Sequence, residues 1–321
     1  MIAMSSADVS SLLTPIETVG IVESAAVAAL GGSDCIVPER QHIRWAHGTL
    51  LTMPAIGAGA MAVKLVSVVP GNAARKLPVT NGLLILGDAA TGLPLAIMDA
   101  AALTAMRTGA VGALGLKHLT PAGVTSVGIV GAGVQGAWQA ISACAVRPIH
   151  AVFALRRSAA GFERFLATLA HHIPQVRVIA CESATELLSR TEVIITATTA
   201  AEPVLPDDPK LLAGKHFIAI GSYERHMREL PDSVLRLAGH LVLDSSFARH
   251  EVGEAIRPVA HGILADSDLF TIGELVSGRR TVDVARTTAY KSAGMALYDL
   301  YVARALHAAA RRRGVGQDVT L

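Results

Sequence analysis

The sequence predicts an α/β protein of two domains, and three observations carry that prediction. The chain has 321 residues, beyond the roughly 250 to 300 at which a single hydrophobic core stops growing. After Pro121, apolar runs of strand length alternate with helical stretches, the pattern of a parallel sheet with crossover helices. Before it, apolar runs come in pairs closed by turn residues, which implies an antiparallel sheet with helices, an α+β segment.

Composition narrows the function. Hydrophobic residues make up 51% of the chain against 17% charged, and 28 Lys+Arg nearly cancel 26 Asp+Glu, so neither disorder nor a nucleic-acid coat fits. Only 4% is aromatic, which removes the stacking platform of single-strand binders. Cys35, Cys144 and Cys181 are far apart, with no CxxC pair for a metal and no even set for disulfides, so a reducing cytoplasm and no metal are expected. The N-terminus meets Asp8 and Glu17 early and lacks a basic n-region, unlike a signal peptide. Between Lys117 and Arg147 no Lys, Arg, Asp or Glu occurs, enough length for a bilayer. Pro121 and three closely set glycines divide that stretch into strand and helix lengths, so a buried unit is expected instead of a membrane span.

The elements follow in order. Residues 10–30 are expected to be helical, ending at Gly31-Gly32. LLTMPA and MAVKLVSVV pair as strands before the Pro70-Gly71-Asn72 turn, and Leu83–Leu86 pairs with Leu95–Met98 around Thr91-Gly92. Residues 101–116 have helical spacing. SVGIV, HAVFAL, VRVIAC, EVIITAT, FIAIGS and HLVLDSS are six strands of the second domain, with helices between them at 161–171 and 184–188. Residues 291–313 form a closing helix with Leu297, Leu300 and Leu306 on one stripe and a basic last turn.

Gly131-Ala132-Gly133-Val134-Gln135-Gly136 follows the strand SVGIV and opens a helix. Gly131 permits the tight turn, Gly133 a close approach to a pyrophosphate, and Gly136 close helix–strand packing, while the helix N-terminus offers unpaired N–H groups. GxGxxG alone is a weak signal; in this strand–turn–helix context it points to a dinucleotide. The next strand ends in Arg156-Arg157-Ser158, without the acidic residue that NAD's ribose hydroxyls usually meet. Two guanidiniums and a hydroxyl suit a 2′-phosphate, which favours NADPH, with NADH as the alternative.

Lys64 interrupts the strand run MAVKLVSVV, where an unpaired ammonium is costly to bury. Its partner is either a structural carboxylate such as Asp99 or a substrate carboxylate. His47, His226 and His250 have no metal-ligand spacing, and no GxSxG elbow supports hydrolase chemistry.

Further motifs occur in order along the chain: VPER ending in Arg40, TMPA at 52–55, VKLVSVVPGN around Lys64, and LPLAIMDAAALTAMRT ending in Arg107-Thr108. GAGVQG, TATT from Thr196, AIGSYERHMREL at 219–230, VLDSS around Asp244 and KSAG at 291–294 complete the set. Together they resemble the ornithine cyclodeaminase and mu-crystallin family. The resemblance implies a Rossmann dinucleotide-binding domain at 119–294 and a discontinuous α+β substrate-binding and dimerisation domain at 1–118 and 295–321. It implies a homodimer, with the substrate between the domains.

By the same resemblance Arg40, Lys64 and Arg107 bind the substrate carboxylate, and Lys64 and Arg107 are the catalytic positions. Thr108, Thr196, Gly221 and Ser292 join Val134 and Gln135 on the cofactor. Three cations around one small anion would hold an α-imino or α-amino acid against the nicotinamide, so that geometry does most of the catalysis. Cyclodeaminases carry an aspartate where this chain has Tyr223, and an acidic residue where it has Leu51 or Thr52. Without those acids nothing manages the side-chain amine of ornithine. The implied activity is therefore reduction of cyclic ketimines, Δ1-pyrroline-2-carboxylate or Δ1-piperideine-2-carboxylate, to proline or pipecolate. An alanine or N-alkyl amino acid dehydrogenase, an ornithine cyclodeaminase and a non-catalytic NADPH-dependent binding protein are the alternatives.

Overall fold

A computed structural model describes residues 1–32 and 35–320. The chain divides into two compact units, one of Met1–Arg107 with Met295–Leu321 and one of Thr108–Gly294. The division falls inside a helix, between Arg107 and Thr108, whereas the expected boundary at 118/119 lies at that helix's end.

The first unit runs through β1 (Ile2–Met4), α1 (Ser6–Leu12), α2 (Pro15–Ala28), β2 (Cys35–Ile36), β3 (Gln41–Trp45), β4 (Gly48–Gly57), β5 (Ala60–Val68), β6 (Thr80–Asp88), β7 (Pro94–Asp99) and the start of α3 (Ala100–Leu119). The second continues with β8 (Ser126–Val130), α4 (Val134–Val146), β9 (Ala151–Leu155), α5 (Ala159–His172), β10 (Arg177–Cys181), α6 (Ala184–Arg190), β11 (Val193–Thr196), α7 (Pro209–Leu212) and β12 (His216–Ala219). It closes with α8 (Asp232–Ala238), β13 (Leu241–Leu243), α9 (Ala248–Glu251), α10 (Gly253–Ala260), β14 (Leu269–Thr271), α11 (Ile272–Val276) and β15 (Thr288–Lys291). The chain then returns to the first unit as α12 (Ala296–Arg313) and β16 (Gln317–Asp318).

The first sheet has the order β16-β1-β7-β6-β5-β4-β2, with β3 also on β4, and its central strands β4 to β7 are antiparallel. Alternation puts Ala60, Ala62, Lys64 and Val66 of β5 on the buried face, beside Leu51, Met53 and Ala55 of β4 and Leu84 and Leu86 of β6. Helix α12 packs across β4, β5 and β6, burying Leu297, Leu300 and Leu306. The opposite face stays apolar and exposed: Leu65 stands opposite Leu83, and Ile85 lies two residues further along β6.

The second sheet is parallel throughout, in the order β10-β9-β8-β11-β12-β15-β13-β14. Counted within the unit, its first five strands run 3-2-1-4-5, the doubly wound Rossmann order, whose switch point lies between β8 and β11. Its inner strands, β9, β8, β11 and β12, are buried on both faces, which is why they stand out in sequence as continuous apolar runs. The charge-free stretch after Lys117 is β8 and α4 of this sheet. Among the described residues no single helix is long and apolar enough to cross a membrane, although the bent pair α1 and α2 passes by length and composition.

Three expectations about elements change. The helix expected over 10–30 is two helices bent by 86°. Thr14 caps α2, accepting from Glu17 N at 3.4 Å, with Pro15 at its first position, and Ser5 caps α1 in the same way through Asp8. The closing helix starts at Ala296, because Lys291 ends β15. Strands β14 and β15, of three and four residues, are too short for any periodicity to announce them.

Candidate functional site

In the first unit β5, α3 and α12 bring three charged side chains together. Lys64 sits on the inner face of β5 between Met53 and Leu84 in the ladder. Its Nζ lies 2.7 Å from Asp299 Oδ2 and 3.4 Å from Thr104 Oγ1 of α3. Arg107, one turn along α3, donates Nε to Asp299 Oδ1 at 2.8 Å, which keeps its two terminal guanidinium nitrogens out of that contact. Lys64 and Asp299 are 2% and 1% exposed, and while Lys64 is protonated the trio sets two positive charges against one negative charge.

That imbalance shows in the titration behaviour. Burial first, then the neighbouring Arg107, pushes the Lys64 ammonium down to about 7 from an ordinary 10.5, against the pull of Asp299. Half-buried Arg40, just before β3, adds a further positive field at Lys64. For Asp299 burial acts to raise the carboxyl, yet Arg107 and Lys64 together hold it below its usual range. The structural partner expected for Lys64, Asp99, is engaged elsewhere: its Oδ1 accepts the backbone N–H of Ala102 at 2.7 Å in the first turn of α3. The partner is Asp299, which sequence reasoning missed. Its signal was there, a carboxylate set between Leu297 and Leu300 on a buried helix stripe.

In the second unit a cleft of about 680 Å³ opens at the switch point, lined by Gly131, Gly133, Leu155, Arg157, Ser158 and Thr198 among others. Gly131 has φ +109°, and a Cβ there would lie 2.4 Å from Ala197 O. A Cβ at Gly136 would lie 2.1 Å from Gly131 O, so both positions require glycine, while Gly133 has open space beside it. Helix α4 begins at Gly133 without a side-chain cap, leaving its first N–H groups available to an anion. Val134 is 68% exposed at the same helix end.

Several buried polar atoms of this unit lack a hydrogen-bond partner among the described residues: Thr108 Oγ1, Gln135 Oε1 and Thr196 Oγ1. Such atoms carry a desolvation cost unless something meets them, so these residues together with the glycine cradle fit a dinucleotide. Arg157 and Ser158 line the cleft, and Ser158 Oγ also accepts the N–H of Gly161 at 3.3 Å as the cap of α5. Arg156 does not line the cleft; its Nη2 lies 2.5 Å from Glu182 Oε1, just past the end of β10. Ser292 is buried, and its hydroxyl donates to Asp244 Oδ2 at 2.7 Å, an oxygen that also accepts Gly294 N at 2.6 Å. Gly221 packs against the backbone of Thr198 in the loop after β12. Among the described residues no cluster of His, Cys, Asp and Glu could hold a metal ion.

A parallel sheet of this strand order with a glycine turn at its switch point belongs to the dinucleotide-binding class. Within that class the chain belongs to the ornithine cyclodeaminase/mu-crystallin family, whose model matches residues 2–314. It is 32% identical over 292 residues to a Δ1-pyrroline-2-carboxylate reductase of Bacillus cereus, covering 88% of this chain and 89% of that protein. Among solved structures, Thermococcus litoralis Δ1-pyrroline-2-carboxylate reductase in complex with NADH and L-proline superposes with a TM-score of 0.91 at 31% identity, over 99% of this chain and 100% of that one. An archaeal alanine dehydrogenase dimer with bound NAD superposes with a TM-score of 0.89 at 29% identity, over 100% and 99%.

Proposed function

We propose that the protein is an NADPH-dependent reductase of cyclic imino carboxylates, converting Δ1-pyrroline-2-carboxylate to L-proline and Δ1-piperideine-2-carboxylate to L-pipecolate. One observation carries the reading: two buried basic groups, Lys64 and Arg107, meet a single carboxylate, so while Lys64 is protonated the trio keeps one positive charge that an incoming anion would neutralise. A substrate carboxylate meets that need, and the likeness to the Bacillus and Thermococcus reductases supports its identity.

Each residue then has a task. Lys64, Arg107 and Arg40 hold the carboxylate, and Asp299 orients the first two, so that the imine carbon is presented in one pose. Gly131, Gly133, Gly136, Val134 and Gln135 hold the pyrophosphate, Arg157 and Ser158 the 2′-phosphate, and Thr108, Thr196, Gly221 and Ser292 the remainder of the cofactor. The bound reduced nicotinamide supplies a hydride to the imine carbon. The ring nitrogen arrives protonated, because cyclic imines are fairly basic, and no side chain has to deliver that proton.

The exposed apolar face around Leu65, Leu83 and Ile85 is the surface through which two copies pair, and the dimeric state of the archaeal alanine dehydrogenase supports it. A second reading, an alanine or N-alkyl amino acid dehydrogenase, draws on the fold shared with that enzyme. The deciding experiment follows the near-ultraviolet absorbance of NADPH and NADH with each cyclic imine, and with pyruvate plus ammonia or methylamine. Turnover of the cyclic imines alone is expected; turnover of pyruvate alone would establish the second reading, and silence with all of them would defeat both.

A further inference from the structure

The AIGSYERHMREL segment contains a buried acid to which no role has yet fallen, Glu229. It is fully buried, and its carboxylate bonds to the two loops that leave β11 and β12. Oε1 accepts Thr198 N at 2.7 Å and Thr198 Oγ1 at 2.8 Å, while Oε2 accepts Gly221 N at 2.7 Å and Ser222 N at 3.3 Å. A second buried acid anchors the first from below: Glu254 Oε1 accepts Glu229 N at 2.6 Å, and its Oε2 accepts Ser222 Oγ at 2.6 Å.

These loops lie against each other and against the glycine turn with no slack. A Cβ at Gly221 would stand 1.9 Å from Thr198 O and 2.2 Å from Thr198 N, and a Cβ at Gly131 would stand 2.4 Å from Ala197 O and 3.1 Å from Thr198 Cγ2. Thr198 is thus the middle layer of a stack of three loops, and it lines the cleft. Backbone N–H groups at the ends of parallel strands have no ladder partner and must be satisfied some other way. Here one carboxylate satisfies three of them and a hydroxyl besides. Burial, reinforced by neighbouring Glu254, raises the Glu229 carboxyl above its ordinary value, against the opposing pull of Lys291, buried at the end of β15, and of the Thr198 hydrogen bonds.

We propose that Glu229 is a positioning residue for the dinucleotide: as a latch between Thr198 and Gly221–Ser222, it holds the loop stack in its binding shape before any cofactor arrives. The proposal rests on the dinucleotide reading of the cleft. Its consequence is preorganisation, since loops that are already ordered incur no ordering cost on binding. A purely structural acid would instead tie together elements of the core.

The test compares the full-length protein with Glu229→Gln. Glutamine keeps the shape and can accept from one loop, but its NH2 meets the donors of the other, so one side of the latch opens. NADH and NADPH affinities, titrated by nicotinamide fluorescence, are expected to weaken roughly ten- to a hundredfold and equally for both cofactors. Amide hydrogen exchange in the cofactor-free protein is expected to accelerate at 197–200 and 221–223 while the strands keep their protection. Unchanged affinity with unchanged loop exchange would overturn the proposal, and so would exchange that rises uniformly across the unit, the mark of general destabilisation. If Glu229→Gln does not fold, Thr198→Val carries the test, because it removes the hydroxyl that donates to Glu229 Oε1: faster exchange at 197–200 in the cofactor-free protein with weaker cofactor binding supports the latch, and wild-type exchange overturns it. Failure of the wild type to bind either cofactor would defeat the dinucleotide reading, and the exchange measurements would still decide whether the latch exists.

Discussion

Replacing Lys64 with Met removes a charge from the buried trio while keeping a linear apolar stem in β5. What remains is Arg107 bound to Asp299 at 2.8 Å, a neutral pair, so no carboxylate is stranded. The lost ammonium was itself poorly tolerated, its affinity for a proton having fallen to about 7. The variant should therefore melt no lower than the wild type at neutral pH. If Lys64 binds the substrate carboxylate, the variant loses one charge-assisted bond of about 1.5–3 kcal/mol, and kcat/KM for the cyclic imine falls by about ten- to 150-fold. Asp299→Asn gives the contrast, because two buried cations then lose their counter-charge at a cost of about 3–5 kcal/mol and a fall in Tm on the order of 10 °C. Thermal unfolding and steady-state kinetics on both variants check this. Lys64→Met melting as low as Asp299→Asn, with kcat/KM intact in the folded fraction, would refute the argument and make Lys64 a strut of the fold.

The same lysine predicts two pH dependences of opposite sign. Its pKa is near 7 in the fold and 10.5 in the unfolded chain, so across that window the unfolded chain binds the extra proton. Wild-type stability should rise with pH there, by at most about 1.4 kcal/mol per unit, and Lys64→Met should lack the rise. Binding of a carboxylate needs the ammonium, so affinity for L-proline as a product inhibitor should weaken above about pH 7, approaching tenfold per unit, in the wild type only. A pH-independent inhibition constant in the wild type would contradict the assignment.

Arg157→Ala should weaken NADPH at least about tenfold and leave NADH nearly unchanged, whereas Arg156→Ala, already engaged by Glu182, should alter neither by more than about threefold; equal loss of both cofactors in Arg157→Ala would sink the 2′-phosphate assignment. With L-ornithine no ammonia should be released, because Tyr223 stands where a cyclodeaminase carries aspartate, and ammonia produced at a rate comparable to imine reduction would reverse that conclusion. If two copies pair through the exposed face, Leu83→Asp, which places a charge opposite Leu65, should lower the mass found by sedimentation equilibrium from two chains to one; an unaltered mass would remove that face from the interface.

Much of the second unit was legible in the sequence because its inner strands are buried on both faces and appear as unbroken apolar runs, while the glycine turn follows β8 with steric demands on Gly131 and Gly136 that the structure makes explicit. The short strands β14 and β15 escaped notice, and with β15 the placement of Lys291 and Ser292, which belong to a strand end and not to a helix start. Arg156 and Arg157 are indistinguishable as letters. Only the geometry at the strand end separates them, sending one to Glu182 and the other to the cleft.

Lys64 and Asp299 mark a different kind of limit. Each announced itself, one as a cation inside an apolar strand and the other as an acid inside an apolar helix stripe, and either signal means a buried charge in need of a partner. Pairing them takes a fold that lays α12, at the far end of the chain, across β5. The structural carboxylate that the sequence offered, Asp99, serves α3. Even with the partner found, Arg107 claims the other oxygen of the same carboxylate, and the count of charges at the site becomes two against one. A matched ion pair in that position would be complete in itself and would explain only stability. In the proposed function the unmatched positive charge, present while Lys64 is protonated, is what lets a buried pair receive an anion, and it is a property of the assembled trio that none of the three residues carries alone.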